Sequence, residues 1–420
     1  MIKTIDLQPN ITLRCYTDRR FKQGNLSIQF IRKMTREEAA LNALLPAVLL
    51  RGSKNCPDMR QIIRRLDDLY GASVGALVRR IGDYQTTGFS CSFIDDRFAM
   101  AEDRVLVPMV AFVGELLTEP KLEKGVFCEE YVRGEKENLV LTIESQRNDK
   151  RAYAAGQLMK HMCGDDSYSI NRLGEVEQVE AITPQSLYTH YQKILRESPV
   201  EIFYIGATQP ETVADALKTV FKGIGEDAKP LPPQTPLCPG EEGSHEEAME
   251  VAQGKLAMGF VTPVTVESPS FAAMQVFNTL FGAGMVSKLF MKIREEMSLC
   301  YDIGSGYYGT KGVVTVSAGI DFDKKEAVQQ EVLRQLEACV AGDFSQLELS
   351  AAKESVISGL QAVHDAPSSI EGYYAVAALN GLNRTPEEYI RQVRQVEAAD
   401  VVAAAASLTL HTVYFLKGVQ

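Results

Sequence analysis

The sequence is poor in the side chains that bind metals in clusters. Only five of its 420 residues are histidine, and no two of them lie within one helical turn of each other. Its eight cysteines show no CxxC spacing, so neither a zinc ribbon nor a disulfide framework is predicted. We expect the thiols to be reduced and mostly buried, as free cysteines usually are.

Long apolar runs and an excess of positive charge are also missing. No stretch reaches the roughly 18 uncharged apolar residues of a membrane span, and the first residues lack the apolar core of a signal peptide. The chain has 44 basic and 55 acidic residues, a formal net charge of −11. This charge argues against nucleic acid or an anionic membrane as a partner. We expect a cytoplasmic protein whose substrate, if any, is neutral or basic.

The overall composition is that of an ordinary folded protein. Hydrophobic residues make up 45% of the chain and charged residues 24%, which excludes disorder and low-complexity structure. A chain of 420 residues is too long for one ordinary compact core. We therefore start from two domains.

A long-period repeat is the most informative feature of the sequence. The segment QGNLSIQF at residues 23–30 recurs as QGKLAMGF at residues 253–260, an offset of 253 − 23 = 230. Both segments alternate as half-buried strands do. Other pairs share this offset to within one residue: Gly52 and Gly282, Arg64 and Arg294, and Tyr70 and Tyr301. A register held from residue 23 to residue 70 predicts two homologous halves.

The boundary between the halves shows as a change of composition. Residues 223–247 are rich in Pro, Gly and acidic residues, as a solvated linker is. We therefore expect domains over residues 1–222 and 248–420. Strands, a helix, more strands and then helices follow in each half, without the rhythm of a doubly wound sheet. This order predicts an α+β fold of two homologous domains, each an antiparallel sheet of about five or six strands with helices packed on one face.

Four motifs follow one another along the chain. They are a helix ending in RGS at residues 41–53, RRLDDLYGA at 64–72, EKENLVLTIE at 135–144, and LFGAGMVSKLFMKIREEMSLCYDIGSGYYG at 280–309. In their order and spacing the chain resembles the pitrilysin, insulinase and mitochondrial processing peptidase family, over nearly its whole length. Residues 64–98 are most similar to the bacterial non-catalytic branch of that family. The resemblance implies a processing-peptidase-like half-clam, completed by a second such chain.

Active members of this family carry an inverted zinc motif, HxxEH, on a helix that ends shortly before a Gly-Thr-like turn. The two histidines bind zinc from one helix face, and the glutamate activates the bound water. Counted back from Gly52, the resemblance places Ala43 and Ala47 at the histidine positions and Pro46 at the glutamate position. None of these side chains can donate an electron pair to a metal. We therefore expect no catalytic residue in cis, no bound metal and no cofactor.

The same helix carries further signals of degeneration. It is apolar on nearly every face, which predicts burial. Pro46 lacks the N–H that would bond to the carbonyl of Asn42, a defect that costs about 3 kcal/mol in a regular helix. We expect a kink or an early end of the helix at Pro46.

The resemblance also implies a third metal ligand, a glutamate in a later helix with an ExExxxxxxE pattern. Glu135, Glu137 and Glu144 keep this pattern, so Glu137 and Glu144 are candidate remnants of a metal site. The alternative is that these side chains are solvated surface acids, balanced by Lys136 and Arg147. Exposed glutamates are what helix surfaces normally carry.

The second half keeps more of the family pattern. Family members use an Arg and a Tyr, spaced as in LRExxxLAY, to hold the substrate backbone and stabilise the developing oxyanion. Arg294 and Tyr301 have this spacing here. A guanidinium and a phenol are suitable donors to a carbonyl oxygen that gains charge. The alternative is a surface ion pair of Arg294 with Glu295 or Glu296, beside a core tyrosine.

Two glycines, Gly282 and Gly284, precede this pair. They are not followed by the GKS or GKT ending of a phosphate-binding loop. We expect them to allow a tight turn or the close approach of a peptide, and we include both among the candidate substrate-binding residues.

Three functions are compatible with the sequence. The first is a non-catalytic subunit that presents Arg294 and Tyr301 to a peptide, paired with a zinc-bearing HxxEH homologue or with a second copy of itself. The second is a scaffold or peptide-binding module without chemistry. The third is an active metallopeptidase with unconventional ligands.

Overall fold

The computed structural model describes residues 2–100 and 102–419. Its strands are β1 Ile2–Gln8, β2 Ile11–Thr17, β3 Gln23–Lys33, β4 Ser73–Ile81, β5 Tyr84–Ile94, β6 Leu122–Glu123, β7 Val126–Phe127, β8 Val200–Gly206, β9 Gly243–Met249, β10 Gly254–Val261, β11 Asp302–Tyr308, β12 Val313–Ile320 and β13 Thr409–Gly418. Its α-helices are α1 Arg36–Leu49, α2 Met59–Asp68, α3 Leu106–Thr118, α4 Glu129–Ser145, α5 Lys150–Cys163, α6 Val176–Glu180, α7 Pro184–Glu197, α8 Pro210–Lys218, α9 Phe271–Asn278, α10 Lys325–Val340, α11 Gln346–Ala362, α12 Pro367–Leu379, α13 Pro386–Gln395 and α14 Ala398–Ala406. The segments Thr279–Ala283 and Phe290–Glu296 are wound as π-helix, and short 3₁₀ turns occur at Asp96–Phe98, Ser167–Ser169, Phe322–Lys324 and Val363–Asp365.

Two large sheets repeat one strand order. Taken from its β4 edge, the first sheet runs β4-β5-β3-β8-β2-β1, and the second runs β11-β12-β10-β13-β9. Pairing is antiparallel throughout, except that β2 with β8 and β9 with β13 are parallel. The parallel pair thus lies at the same place in both sheets. The predicted fold of two homologous domains with mainly antiparallel sheets is confirmed, with six strands in one sheet and five in the other.

The alternation of β3 decides which face of the first sheet meets the core. Leu26, Ile28 and Phe30 all belong to one apolar cluster with residues of α1, α3 and α7. This is the face that the pattern of QGNLSIQF assigns to the interior. The first sheet and these helices therefore form a two-layer α+β core.

The opposite face of the first sheet receives a helix from late in the sequence. The buried carboxylate of Glu371 in α12 accepts hydrogen bonds from Gln29 Nε2 at 2.6 Å and from Ser27 Oγ at 3.1 Å. Its other oxygen lies 2.7 Å from Arg79 Nη1. These partners compensate the desolvation of the charge. The first sheet therefore has helical structure on both faces, more than the single layer expected.

The second sheet is covered in the corresponding way by α5. Ala154 and Leu158 of this helix pack on Ala257, Tyr414 and Leu416. Accordingly, the chain divides into two compact units that each include a segment from the other half of the sequence. The first unit comprises the residues up to Glu144, Ile170–Pro233 and Asp365–Val376, and the second comprises Ser145–Ser169, Gln234–His364 and the residues from Ala377 onward.

The predicted linker differs from the structure at its end. Residues 243–247 do not belong to an irregular segment, because they form most of β9, which pairs with β13. Glu246 of β9 also binds Lys325 and Lys417, each at 2.7 to 2.8 Å.

Among the described residues, no helix is long and apolar enough to cross a membrane.

Candidate functional site

Helix α1, which carries the positions of the degenerate zinc motif, begins at a well-formed cap. Thr35 Oγ1 accepts a hydrogen bond from the backbone N–H of Glu38 at 3.3 Å. Ala43 and Pro46 are buried, and Ala47 is half-buried. The helix thus packs into the core of the first unit, as its apolar composition predicts.

The helix does not end at Pro46, which was one of the two outcomes that we expected there. It continues to Leu49, and the carbonyl of Asn42 accepts a hydrogen bond from Thr87 Oγ1 at 2.7 Å. This hydroxyl on β5 replaces the backbone N–H that proline lacks. The carbonyl of Asn42 that Pro46 leaves without a helical partner is therefore hydrogen-bonded by a residue far away in the sequence.

The side chain of Asn42 joins α1 to two further elements. Its Nδ2 donates to Gln85 Oε1 on β5 at 2.8 Å, and its Oδ1 lies 2.7 Å from Nε2 of His190 on α7. Burial lowers the pKa of His190 to about 4, so the imidazole is neutral at physiological pH. The neutral imidazole of His190 thus forms a hydrogen bond within the core.

The candidate acids of α4 do not form a metal site. Glu137 and Glu144 are exposed. Glu135 lies 3.3 Å from Nη1 of Arg51, whose guanidinium stands 5.6 Å from the ring centroid of Tyr131. No group of three His, Cys, Asp or Glu side chains converges within residues 2–100 and 102–419. The acids of α4 therefore lack the convergence that a zinc ion needs, and the guanidinium of Arg51 neutralises Glu135.

Arg294, unlike the buried positions of α1, is exposed. It lies in the π-helix Phe290–Glu296, a winding that is rare and occurs often at functional sites. Its guanidinium stands 4.7 Å from the ring centroid of Phe290, and its Nε is 3.7 Å from Glu295 Oε1. The side chain is 42% exposed, so this ion pair is weak and easily exchanged.

Tyr301 is also directed to solvent. It is 60% exposed, and its hydroxyl donates to Asp321 Oδ1 at 2.9 Å. This hydrogen bond raises the pKa of the phenol, which keeps its proton at neutral pH. Between Arg294 and Tyr301, Ser298 adopts a left-handed φ of 51°. A strained turn at Ser298 thus separates Arg294 from Tyr301 in the second unit, and Tyr301 is not a core tyrosine.

The two glycines have different surroundings. Gly282 is buried, and a Cβ atom there would lie 2.6 Å from Ser305 Oγ and 2.8 Å from Leu289 Cδ1. Its lack of a side chain is therefore required by packing within the second unit. Gly284 borders a pocket of about 260 Å³, beside the strongly exposed Met285.

Comparison with known proteins bears on both regions. Residues 181–356 match the family model "Peptidase M16 inactive domain". The "Probable inactive metalloprotease YmfF" of Bacillus subtilis is 29% identical over 98% of this chain and 96% of its own length. The chain is a homologue of inactive members of the M16 peptidase family, and the resemblance to the pitrilysin, insulinase and processing peptidase group is confirmed.

Solved structures share the fold of this chain along its whole length. A conserved protein from Enterococcus faecalis superimposes with a TM-score of 0.90 at 27% identity, covering 100% of this chain and 99% of its own. An M16 inactive domain from Pseudomonas fluorescens has a TM-score of 0.82 at 16% identity, covering 100% and 98%. At 16% identity, the likeness to the Pseudomonas fluorescens protein is evidence for a shared fold alone.

Sequence reasoning missed two features of α1 and the residues that follow it. The network of Asn42, Gln85 and His190 joins residues from distant segments, and the pairing of Arg51 with Glu135 does the same. A polar residue inside an otherwise apolar helix was the available signal for Asn42, because a buried amide needs partners. The sequence offered no comparable signal for Arg51.

Proposed function

We propose that this chain is the non-catalytic subunit of an M16 peptidase heterodimer. It pairs with a homologous subunit that carries HxxEH, lines part of the peptide chamber, and supplies Arg294 and Tyr301 to the bound peptide. The observation that carries the proposal is the asymmetry of the two regions. The zinc-motif positions of α1 hold Ala43, Pro46 and Ala47, which offer no donor atoms, whereas Arg294 and Tyr301 remain exposed.

Exposure of these two side chains favours a role toward another molecule. An arginine held inside its own unit would lose its donors to buried acids, as Arg79 does to Glu371. Within the described residues, Arg294 is paired only at 3.7 Å with the adjacent exposed Glu295, and it also lies over the ring of Phe290, so its guanidinium donors are available to a carbonyl oxygen. Gly284 and the exposed Met285 lie beside the pocket on the same stretch of chain, where a peptide side chain can be accommodated.

The test is co-expression with an HxxEH-bearing homologue from the same genome. We expect a complex with one copy of each chain by light scattering, and peptide cleavage by the complex. Arg294→Ala lowers kcat about 100-fold, because one donor to the oxyanion is lost. Arg391→Ala, at an exposed arginine of the same unit, is the matched control and leaves kcat unchanged. Cleavage at full rate by the Arg294→Ala complex excludes the contribution in trans.

A second candidate is a peptide-binding module that acts without a partner's chemistry. Two observations favour it. The hydroxyl of Tyr301 is already bonded to Asp321 of its own unit. In addition, β4 is an edge strand whose first residues, Ser73–Leu77, include exposed Gly75 and Ala76, so an extended peptide can add to the sheet there.

The two candidates differ in what the isolated chain does. The binding module retains a labelled extended peptide on its own, and amide hydrogen exchange slows at residues 73–77 when the peptide is added. Arg294→Ala leaves this binding unchanged. If peptide is retained only after the HxxEH subunit is added, the module is excluded and the heterodimer is favoured.

A further inference from the structure

Helix α2 of the first unit carries a cluster of exposed arginines. Ile62 is its one buried residue. Arg60, Arg64 and Arg65 are exposed. Within the described residues, none of these three guanidinium groups takes part in a hydrogen bond or an ion pair. The cluster is therefore available to another molecule.

Other arginines of this chain form close ion pairs, such as Arg14 with Glu201 at 2.7 Å and Arg32 with Glu38 at 2.8 Å. Arg60 and Arg65 interact with Asp58 and Glu115 only at longer range, through their charges. The carboxylate of Asp58, at the start of α2, bonds to the end of the helix rather than to an arginine side chain. It caps α2 by accepting from the backbone N–H and Nε2 of Gln61, at 2.9 and 3.2 Å.

The arginines border a cleft of about 450 Å³. Arg60, Arg64 and Asp68 are spaced by four along α2, and they line the cleft together with Gln61, Arg65, Cys56 and Asp58. Two apolar side chains of the same helix, Met59 and Ile63, are also exposed, Ile63 by 52%. The cleft thus carries the three cations and the carboxylate of Asp68, and the same helix exposes two apolar side chains.

The repeat of the sequence adds a further argument. Arg64 occupies the position in the first half that Arg294 occupies in the second, at an offset of 294 − 64 = 230. Both are exposed. The two halves therefore each present an arginine to solvent at the same place in the repeat.

We infer that this cleft is a docking site for a short acidic segment of a partner protein. Carboxylates of the segment bind Arg60, Arg64 and Arg65 through paired hydrogen bonds, and its apolar side chains pack on Met59 and Ile63. The exposed apolar side chains of Met59 and Ile63 on the same helix favour a peptide over a small inorganic anion. This inference does not depend on the proposed function.

The probe is a labelled peptide of about ten residues with alternating Glu and Leu, measured by fluorescence anisotropy in about 50 mM salt. We expect a Kd below about 100 µM, and no binding of the corresponding Lys and Leu peptide. Reversal of the cluster, R60E with R64E and R65E, weakens binding at least about tenfold. Replacement of the three arginines by lysine gives an intermediate affinity, because charge is kept and the forked geometry is lost.

A matched control reverses three exposed arginines elsewhere, R19E with R133E and R391E, and circular dichroism checks that each variant is folded. The control retains wild-type affinity if the cleft is the site. An equal loss in both variants reduces the effect to general electrostatics and overturns the inference. Complete displacement by about 10 mM inorganic phosphate, or equal binding of a Glu peptide without Leu, assigns the cluster to small anions and also overturns it.

Discussion

Helix α1 and the Arg294 segment are the two places where an M16 peptidase fold would carry its chemistry, and they have opposite surroundings. The first is buried and joined to its neighbours through Asn42, while the second is exposed, π-helical in part and strained at Ser298. We therefore expect changes in α1 to alter stability more than changes at Arg294 do.

The largest expected effect comes from Asn42→Ala. The substitution leaves Gln85 and His190 without their partner inside the core and creates a small cavity. We expect the free energy of unfolding to fall by about 3 kcal/mol, measured from urea midpoints. Asn138→Ala, at an exposed position of α4, is the control and changes it by less than about 0.5 kcal/mol. Equal stability of the two variants would contradict the description of α1 as a locked core helix.

The next effect is a dependence on pH. Burial lowers the pKa of His190 to about 4, below its usual value of 6.5. Between these values only the unfolded chain takes up the proton, so the free energy of unfolding decreases as pH falls. We expect a loss of about 2 kcal/mol between pH 6.5 and pH 4.5.

The control for this prediction is His190→Gln, which cannot titrate. Its stability should be lower at neutral pH and nearly flat over the same range. Glu38 does not interfere, because hydrogen bonds from Arg32 and Lys193 outweigh its burial and lower its pKa to about 2. Its contribution is lost only at more acidic pH. A wild-type slope that persists in His190→Gln would place the titrating group elsewhere.

A smaller effect of opposite sign is expected in the second unit. Ser298 has a left-handed φ of 51°, a conformation that glycine adopts without strain. Ser298→Gly should therefore raise the free energy of unfolding by about 1 kcal/mol, seen as a higher Tm. Ser270→Gly, where φ is −81°, gives no such gain. A lower Tm for Ser298→Gly would mean that its side chain holds the loop.

The smallest effect is expected for Arg294→Ala. The side chain is exposed and has one long ion pair, so the free energy of unfolding should change by less than about 0.5 kcal/mol. Thermal unfolding of the isolated chain measures this. A loss comparable to that of Asn42→Ala would remove the contrast between the two regions.

The sequence predicted much of the fold because repeats and periodicity are local signals. The recurrence of QGNLSIQF as QGKLAMGF anticipated β3 and β10, which occupy equivalent central places in the two sheets. The helix-rich ends of the halves were also foreseen, but not that α5 and the start of α12 belong to the opposite units.

The sequence alone determined that Ala43, Pro46 and Ala47 provide no metal donor, because that follows from side-chain chemistry at any conformation. Only the tertiary structure decided that α1 passes through Pro46. The hydroxyl of Thr87 that satisfies the freed carbonyl reaches it across the core, and no local pattern encodes such a contact. Packing likewise decided that Gly282 faces Ser305 and that Arg294 stays in solvent, since both depend on which segments the fold brings together.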